Sequence, residues 1–168
     1  PHLIWGPGDR HLAPRVINRA KAGRLRLVGN KENKVDSCYI DNAVDAHLLA
    51  GDDLQNNARC AGKAYFVSND EPISMSDLIN KILATVNLSP IKKRINESVA
   101  YYIGSIFERV YSLFKIEEEP LMTRFVAKQL STAHWFDLTA AKRDLSFTPE
   151  ISIDEGMKRL KASFDTEK

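Results

Sequence analysis

Pro1-His2-Leu3-Ile4-Trp5-Gly6-Pro7-Gly8-Asp9 opens the chain with an apolar strand that runs straight into a Gly-Pro-Gly turn. A buried strand closed by a glycine/proline punctuator and followed by a polar helix start is the pattern of an α/β fold. Such a strand needs neighbours on both sides. The expectation is therefore that residues 1–168 are the C-terminal part of a larger enzyme. In isolation they would expose an unpaired edge and self-associate.

Outward from this stretch, strand and helix alternate. A helix is expected over 9–22, ended by Gly23, with Leu12, Val16 and Ala20 on one face. A strand over 25–28 and a loop from Gly29-Asn30 through Lys31 to Lys34 follow. A second strand covers 35–40, and Asp41 is placed to cap a helix over 42–54 whose Ala43, Ala46, Leu49 and Ala50 form a narrow stripe. Residues 63–67, Lys-Ala-Tyr-Phe-Val, read as a core strand. Ser74-Met75-Ser76-Asp77 has capping-box form and opens a helix bearing Leu78, Ile79, Ile82, Leu83 and Val86, and 90–95 is extended. This alternation implies an α/β architecture.

Residues 97–114 break the pattern. Val99, Ile103, Ile106, Val110 and Leu113 follow helical spacing, while Tyr101, Tyr102, Phe107, Tyr111 and Phe114 spread aromatic bulk around the circumference. The segment suits a helix packed inside a substrate-binding lobe. It also suits a helix in a membrane interface or at the entry for a lipid-like substrate. Glu108 and Arg109 interrupt the apolar run, so it is too short to span a bilayer. After the acidic turn at 117–120, a helix over 121–130 leads into a short strand at 134–137, with Asp137 capping a helix over 139–145. A second capping box, Ser152-Ile153-Asp154-Glu155, opens a terminal helix with Ile153, Met157, Leu160 and Phe164 inward, and the tail 165–168 is expected to fray.

Composition narrows the function. A net charge of +2 with scattered lysines and arginines argues against nucleic acid, and Lys92-Lys93-Arg94 reads as a solvated strand face. Cys38 and Cys60 lack metal spacing and fit reduced thiols in a cytoplasmic setting, and the dispersed His2, His11, His47 and His134 argue against zinc. No P-loop, GxGxxG or GxSxG motif is present. Residues alone assign no catalytic group. Tyr111 and Lys115 have Tyr-x-x-x-Lys spacing but follow the aromatic helix.

Four stretches carry a resemblance. Residues 1–9 with Leu12 and Pro14-Arg15-Val16, residues 35–43, Gly62 to Phe66 with Asn69-Asp70-Glu71-Pro72, and Phe147-Thr148-Pro149 with 152–156 occur in this order along almost the whole chain. They resemble the portion of extended short-chain dehydrogenase/reductases that follows the catalytic Tyr-x-x-x-Lys. The details are similar to the 3β-hydroxysteroid dehydrogenase branch, which includes sterol-4-carboxylate 3-dehydrogenases and bacterial 2-alkyl-3-oxoalkanoate reductases. His2, the run from Asp41 to Ala50 and residues 120–125 lean toward the reductases. A sugar-nucleotide epimerase or dehydratase is the competing branch, and a non-catalytic dinucleotide-binding scaffold the alternative of another class.

The resemblance implies the C-terminal substrate-binding portion of a Rossmann-type enzyme, mixed short strands and helices, with a helical insert at 97–131. It implies hydride transfer between NAD or NADP and a 3-hydroxy/3-keto group of a hydrophobic substrate, with the catalytic Tyr and Lys and most of the cofactor site lying upstream. Pro1, His2, Leu3 and Ile4 match the strand end beside the nicotinamide. Trp5, Gly8, Asp9, Leu12, Asp36 and Tyr39 match positions bordering the substrate, although Asp36 also suits a structural hydrogen-bonding role. The implied partners are a hydrophobic small molecule, a membrane surface touched peripherally through 97–114, and a second copy of the chain.

Overall fold

The computed structural model of the chain describes residues 1–29, 32–118, 120 and 122–166. Asn30 and Lys31 of the expected loop, Glu119 of the acidic turn, Leu121 at the expected helix start, and Glu167 and Lys168 of the tail lie outside the described residues. In chain order the elements are β1 (Ile4–Trp5), α1 (Leu12–Lys21), β2 (Leu27–Val28), β3 (Lys34–Val35), β4 (Cys38–Tyr39), α2 (Ile40–Asn56) and β5 (Ile73–Ser74). They continue with α3 (Met75–Thr85), β6 (Arg94–Ile95), α4 (Glu97–Leu113), α5 (Arg124–Ser131), α6 (Thr139–Leu145) and α7 (Ile153–Thr166).

The strands form two-stranded ladders. β1 pairs parallel with β4, Ile4 opposite Cys38, and β2 pairs parallel with β6, Leu27 opposite Arg94. β3 pairs antiparallel with β5, Lys34 opposite Ser74. Helices α1, α3 and α7 enclose a core in which Trp5, Tyr39, Leu78, Ile82, Leu83 and Leu160 are buried. Gly156 on α7 is required here, because a Cβ would sit 2.7 Å from Tyr39 Cδ2 and 2.8 Å from Trp5 Cη2. A smaller cluster joins α2 to α6 through Ala43, Ala46, Leu138, Ala141 and Phe147.

Local chemistry explains most element ends. The Asp9 carboxylate accepts from the N–H groups of His11, Leu12 and Ala13 at 2.7, 3.1 and 2.7 Å, so the first helix begins at Leu12 and not at Asp9. Both serines act as N-caps: Ser74 Oγ accepts from Asp77 N and Ser152 Oγ from Glu155 N. Asp41 does not cap α2. The helix starts two residues earlier than expected, at Ile40, and the Asp41 carboxylate pairs with Arg159 at 3.1 Å.

Other expectations need correction. Residues 63–67 join no ladder among the described residues; Val67 is buried, but Phe66 is exposed and stacks on Phe136 with centroids 4.5 Å apart. Strand propensity reports side-chain packing, and here the backbone bond Asn69 N–H to Ser37 O is made only beyond the apolar run. The strand expected over 35–40 splits into β3 and β4, and that over 134–137 reduces to one bridge between Val35 and His134. The helix expected from 121 begins at Arg124, where Thr123 Oγ1 accepts from Val126 N.

On α4 the bulky residues at helical spacing do not form the buried face. Val99, Ile106, Val110 and Leu113 face solvent, and the buried positions are Ala100 and Gly104. A Cβ on Gly104 would lie 2.6 Å from the Thr123 carbonyl carbon. Close approach of α5 therefore selects the small-residue face over the bulky one.

Buried polar groups staple the layers. Asn42 Oδ1 accepts from the N–H groups of Glu150 and Ile151, while its Nδ2 donates to Asn69 Oδ1 and Ile151 O. Asn69 Oδ1 also accepts from Tyr39 N at 2.8 Å. Two carboxylates shift in opposite directions. Asp144 is bonded by Arg143, Tyr65 and Lys63, and these partners hold its carboxyl well below the usual range. Asp36 has no exposed surface, and burial pushes it up although Ser68 Oγ donates to its Oδ2 at 2.7 Å.

These shifts carry a sign. A depressed carboxyl contributes stability that is present above its unfolded pKa of about 4 and is lost as pH falls through the folded value. A raised carboxyl does the reverse, costing stability as pH rises through its unfolded value. Urea unfolding between pH 3 and 7 is therefore expected to show Asp144→Asn less stable at neutral pH with a weakened acid loss. Asp36→Asn is expected to steepen the gain of stability from low to neutral pH.

Candidate functional site

A cavity of about 550 Å³ lies between the β2/β6 pair and four helices. Its volume falls within the range of small-molecule pockets. Leu12 and Val16 of α1 and Leu78, Ile79 and Ile82 of α3 form one wall; Ile103 and Phe107 of α4 and Val126 and Leu130 of α5 form the other. Two features hold the second wall. Gly104 lets the helices meet, and Glu108 accepts from the Arg124 main-chain N–H at 2.7 Å and its Nε at 2.6 Å, which lowers the Glu108 carboxyl.

The polar lining is distinctive. Five arginines border the cavity, Arg15, Arg19, Arg24, Arg26 and Arg94, with Asn18, Asn33 and Ser76. Arg94 is clamped by Glu32 Oε1 at 2.7 Å, Glu32 in turn accepting from Ser76 Oγ. Arg26 Nη1 donates to the carbonyls of Gly23 and Leu25. Among the described residues the lining contains no carboxyl, imidazole, thiol or phenol. The lining is mainly apolar, and guanidinium groups supply most of its polar character.

The residues expected at the site separate into groups. Leu3 and Leu12 line the cavity, Leu3 in the left-handed region at φ 45°. Pro1 and Ile4 are exposed, Ile4 on the β1 ladder. His2 is anchored through Nδ1 to the Asp36 carbonyl at 2.8 Å, its ring 5.8 Å from that of His134 and 5.2 Å from Phe136.

Trp5, Gly8, Asp9, Asp36 and Tyr39 are not part of the lining. Trp5 is 1 % exposed, donates from Nε1 to Ser37 Oγ at 3.0 Å and meets Tyr39 edge-on at 5.3 Å. Gly8 occupies a turn at φ 77° that suits glycine, and Asp9 caps α1. Tyr111 and Lys115 also lie off the lining. The arginine border escaped the sequence reading. Its signals are the i,i+4 spacing of Arg15 and Arg19 and the alternation Arg24-Leu25-Arg26-Leu27, which sends apolar residues inward and guanidinium groups outward.

The chain is 54% identical over 164 residues to the 2-alkyl-3-oxoalkanoate reductase of Shewanella oneidensis, covering 97% of this chain and 42% of that protein. The enzyme of the same name from Stenotrophomonas maltophilia is 53% identical, with 97% and 49% covered. The decarboxylating sterol-4-alpha-carboxylate 3-dehydrogenase of Mus musculus is 32% identical, with 98% and 46% covered. The chain thus spans about half the length of the relatives it matches.

Among solved structures, gox2253 superposes with a TM-score of 0.65 at 20% identity, covering 98% of this chain and 47% of that one. UDP-glucuronic acid 4-epimerase from Bacillus cereus in complex with NAD gives 0.62 at 16%, covering 98% and 43%. At these identities the likeness establishes the fold alone. The sequence profile of the 3-beta hydroxysteroid dehydrogenase/isomerase family matches residues 1–96, more than half of the chain. With an α/β frame, an apolar cavity under its helical lobe and this match together, the chain belongs to the 3-beta hydroxysteroid dehydrogenase/isomerase family, within the extended short-chain dehydrogenase/reductases.

Proposed function

We propose that this chain is the substrate-binding half of an NAD(P)(H)-dependent oxidoreductase. The enzyme would move a hydride between the nicotinamide and the 3-hydroxy/3-keto group of a hydrophobic substrate, a 2-alkyl-3-oxo acid in preference to a steroid-like ring. The observation that carries the reading is the apolar cavity closed by α4 and α5. Two relatives named for reduction of 2-alkyl-3-oxoalkanoates, each more than half identical, favour the acid over the ring.

The residues present fit only one end of a dinucleotide. Pro1 and Ile4 are exposed and Leu3 borders the cavity, so 1–4 would form an edge between nicotinamide and substrate. No glycine-rich phosphate loop accompanies them. When bound, the nicotinamide supplies or accepts the hydride. In this account Leu3 and Leu12 orient the substrate chain, the α4–α5 wall keeps water from it, and His2, Trp5, Asp36 and Tyr39 hold the frame. The exposed Ile4, Val44, Leu48, Phe66 and Trp135 suit contact with the dinucleotide-binding half or a second copy of the chain.

Peripheral membrane contact of an enzyme working in the cytoplasm is a second reading. It is favoured by the exposed Val99, Tyr102, Ile106 and Leu113 on α4 and Phe114 just beyond its end. Among the described residues no helix is long and apolar enough to cross a membrane.

The test is a chimera carrying the dinucleotide-binding half of the Stenotrophomonas maltophilia reductase ahead of this chain. Oxidation of NADH or NADPH with a long-chain 2-alkyl-3-oxo acid, and no reaction with UDP-sugars, is expected. The reverse preference would assign the chain to sugar-nucleotide chemistry.

A further inference from the structure

The signs of charge around the cavity are one-sided. The whole chain holds 24 lysines and arginines against 22 acidic residues, so an arbitrary stretch of surface would mix them. The cavity is bordered by five arginines and, among the described residues, by no carboxylate. Arg94 is neutralised by Glu32, and Arg26 is turned onto main-chain carbonyls. Arg19 lies in the last turn of α1, where a cation is favourable in any helix. Arg24 has no such role. It lies beyond the helix end, is exposed, and its guanidinium has no carboxylate or carbonyl partner among the described residues.

We propose that Arg24 anchors the anionic group of a long-chain amphiphile whose tail fills the cavity, with Arg26 adding to the local positive potential. A guanidinium offers paired N–H donors that match a carboxylate or phosphate, and the low-dielectric wall behind it focuses the field toward the mouth. The tail lies against Val16, Leu27, Ile79, Ile103, Phe107 and Val126.

This inference rests on the cavity being the site of the substrate chain, and its test separates the two. Displacement of Nile red, a neutral dye, from the 168-residue chain is measured with alkanoates of 10 to 16 carbons, with alkyl phosphates, and with alkanols of the same lengths. Affinity for all three series is expected to rise about fourfold per added methylene until the cavity is full. Alkanoates or alkyl phosphates are expected to bind about tenfold more tightly than the alkanol, with the gain shrinking as salt is added. Whichever anion shows the larger gain identifies the group. Arg24→Gln is expected to remove that gain and leave alkanol binding unchanged, and Arg24→Lys to keep part of it. Equal binding of anions and alkanols, or an unchanged gain in Arg24→Gln, overturns the anchor while leaving the cavity reading intact. Absence of chain-length dependence in all series overturns both, as does displacement by UDP-glucose at the concentrations that suffice for the alkanoates.

Discussion

Replacing Trp5 by alanine is expected to lower the free energy of unfolding by about 3–5 kcal/mol, the cost of deleting a fully buried aromatic side chain. At this chain length that corresponds to a fall in melting temperature of about 6–20 °C. The cause is local. The indole is 1 % exposed, lies edge-on to Tyr39, and passes so close to α7 that position 156 has room only for glycine. Removing it opens a cavity between β1, β4 and α7 and leaves the Ser37 hydroxyl without its donor. Trp5→Phe is expected to cost less, mainly the hydrogen bond and a smaller void. The pair also separates two roles for this residue. In a framework role, Trp5→Phe in the reconstituted enzyme leaves KM unchanged; a substrate contact would raise KM without loss of stability.

Ile103→Trp should do the opposite. The side chain points into the cavity from α4, beside Phe107 and opposite Ile79. A larger ring there meets empty space before it meets protein, so the cost in stability is expected to stay within the 1–3 kcal/mol typical of overpacking. Occupancy of the space by protein excludes the tail. Each methylene that cannot enter forfeits about 0.8 kcal/mol, and loss of three to four of them lowers kcat/KM for a long-chain substrate on the order of a hundredfold. A short-chain analogue that never reaches Ile103 is expected to be nearly unaffected. The comparison of long and short substrates in the chimera measures this. A uniform loss across chain lengths would indicate damage to the fold instead of a blocked cavity.

What the sequence made legible follows from where its signals are local. Helix starts with a capping side chain were readable, because Ser74 and Ser152 satisfy N–H groups within their own first turns. The run Phe147-Thr148-Pro149 and the terminal helix with Ile153, Met157 and Leu160 inward were readable for the same reason. The strands expected at the start of the chain, over 25–28 and over 90–95 contain β1, β2 and β6, but their pairing was not readable, because a ladder depends on a partner that the segment itself does not contain. Tyr65-Phe66-Val67 has all the composition of a strand and pairs with none among the described residues, whereas Lys34–Val35 pairs across 38 residues to β5. Helix α4 misled differently. Its bulky residues recur at helical spacing on two faces, and the choice of inward face was made by Gly104 and the approach of Thr123, a distant segment.

The candidate site was half visible. Leu3, which the resemblance set beside the nicotinamide, and Leu12, which it set beside the substrate, border the cavity, while Trp5, Asp36 and Tyr39 are buried away from its lining. Their apolar or polar character is the same in either role, so residue type could not distinguish a wall from a pillar. The arginine border is spread over α1, the turn after it and β6, and only the fold brings those three segments to one mouth.

The division of labour between this chain and a dinucleotide-binding half is tested most directly by titrating NADH and NADPH into the 168-residue chain and into the chimera, following nicotinamide fluorescence. The account predicts saturable binding by the chimera and none by the chain alone, because residues 1–4 supply an edge and no phosphate cradle. Saturable binding of either dinucleotide by the 168 residues alone would contradict it and place a complete cofactor site within this chain.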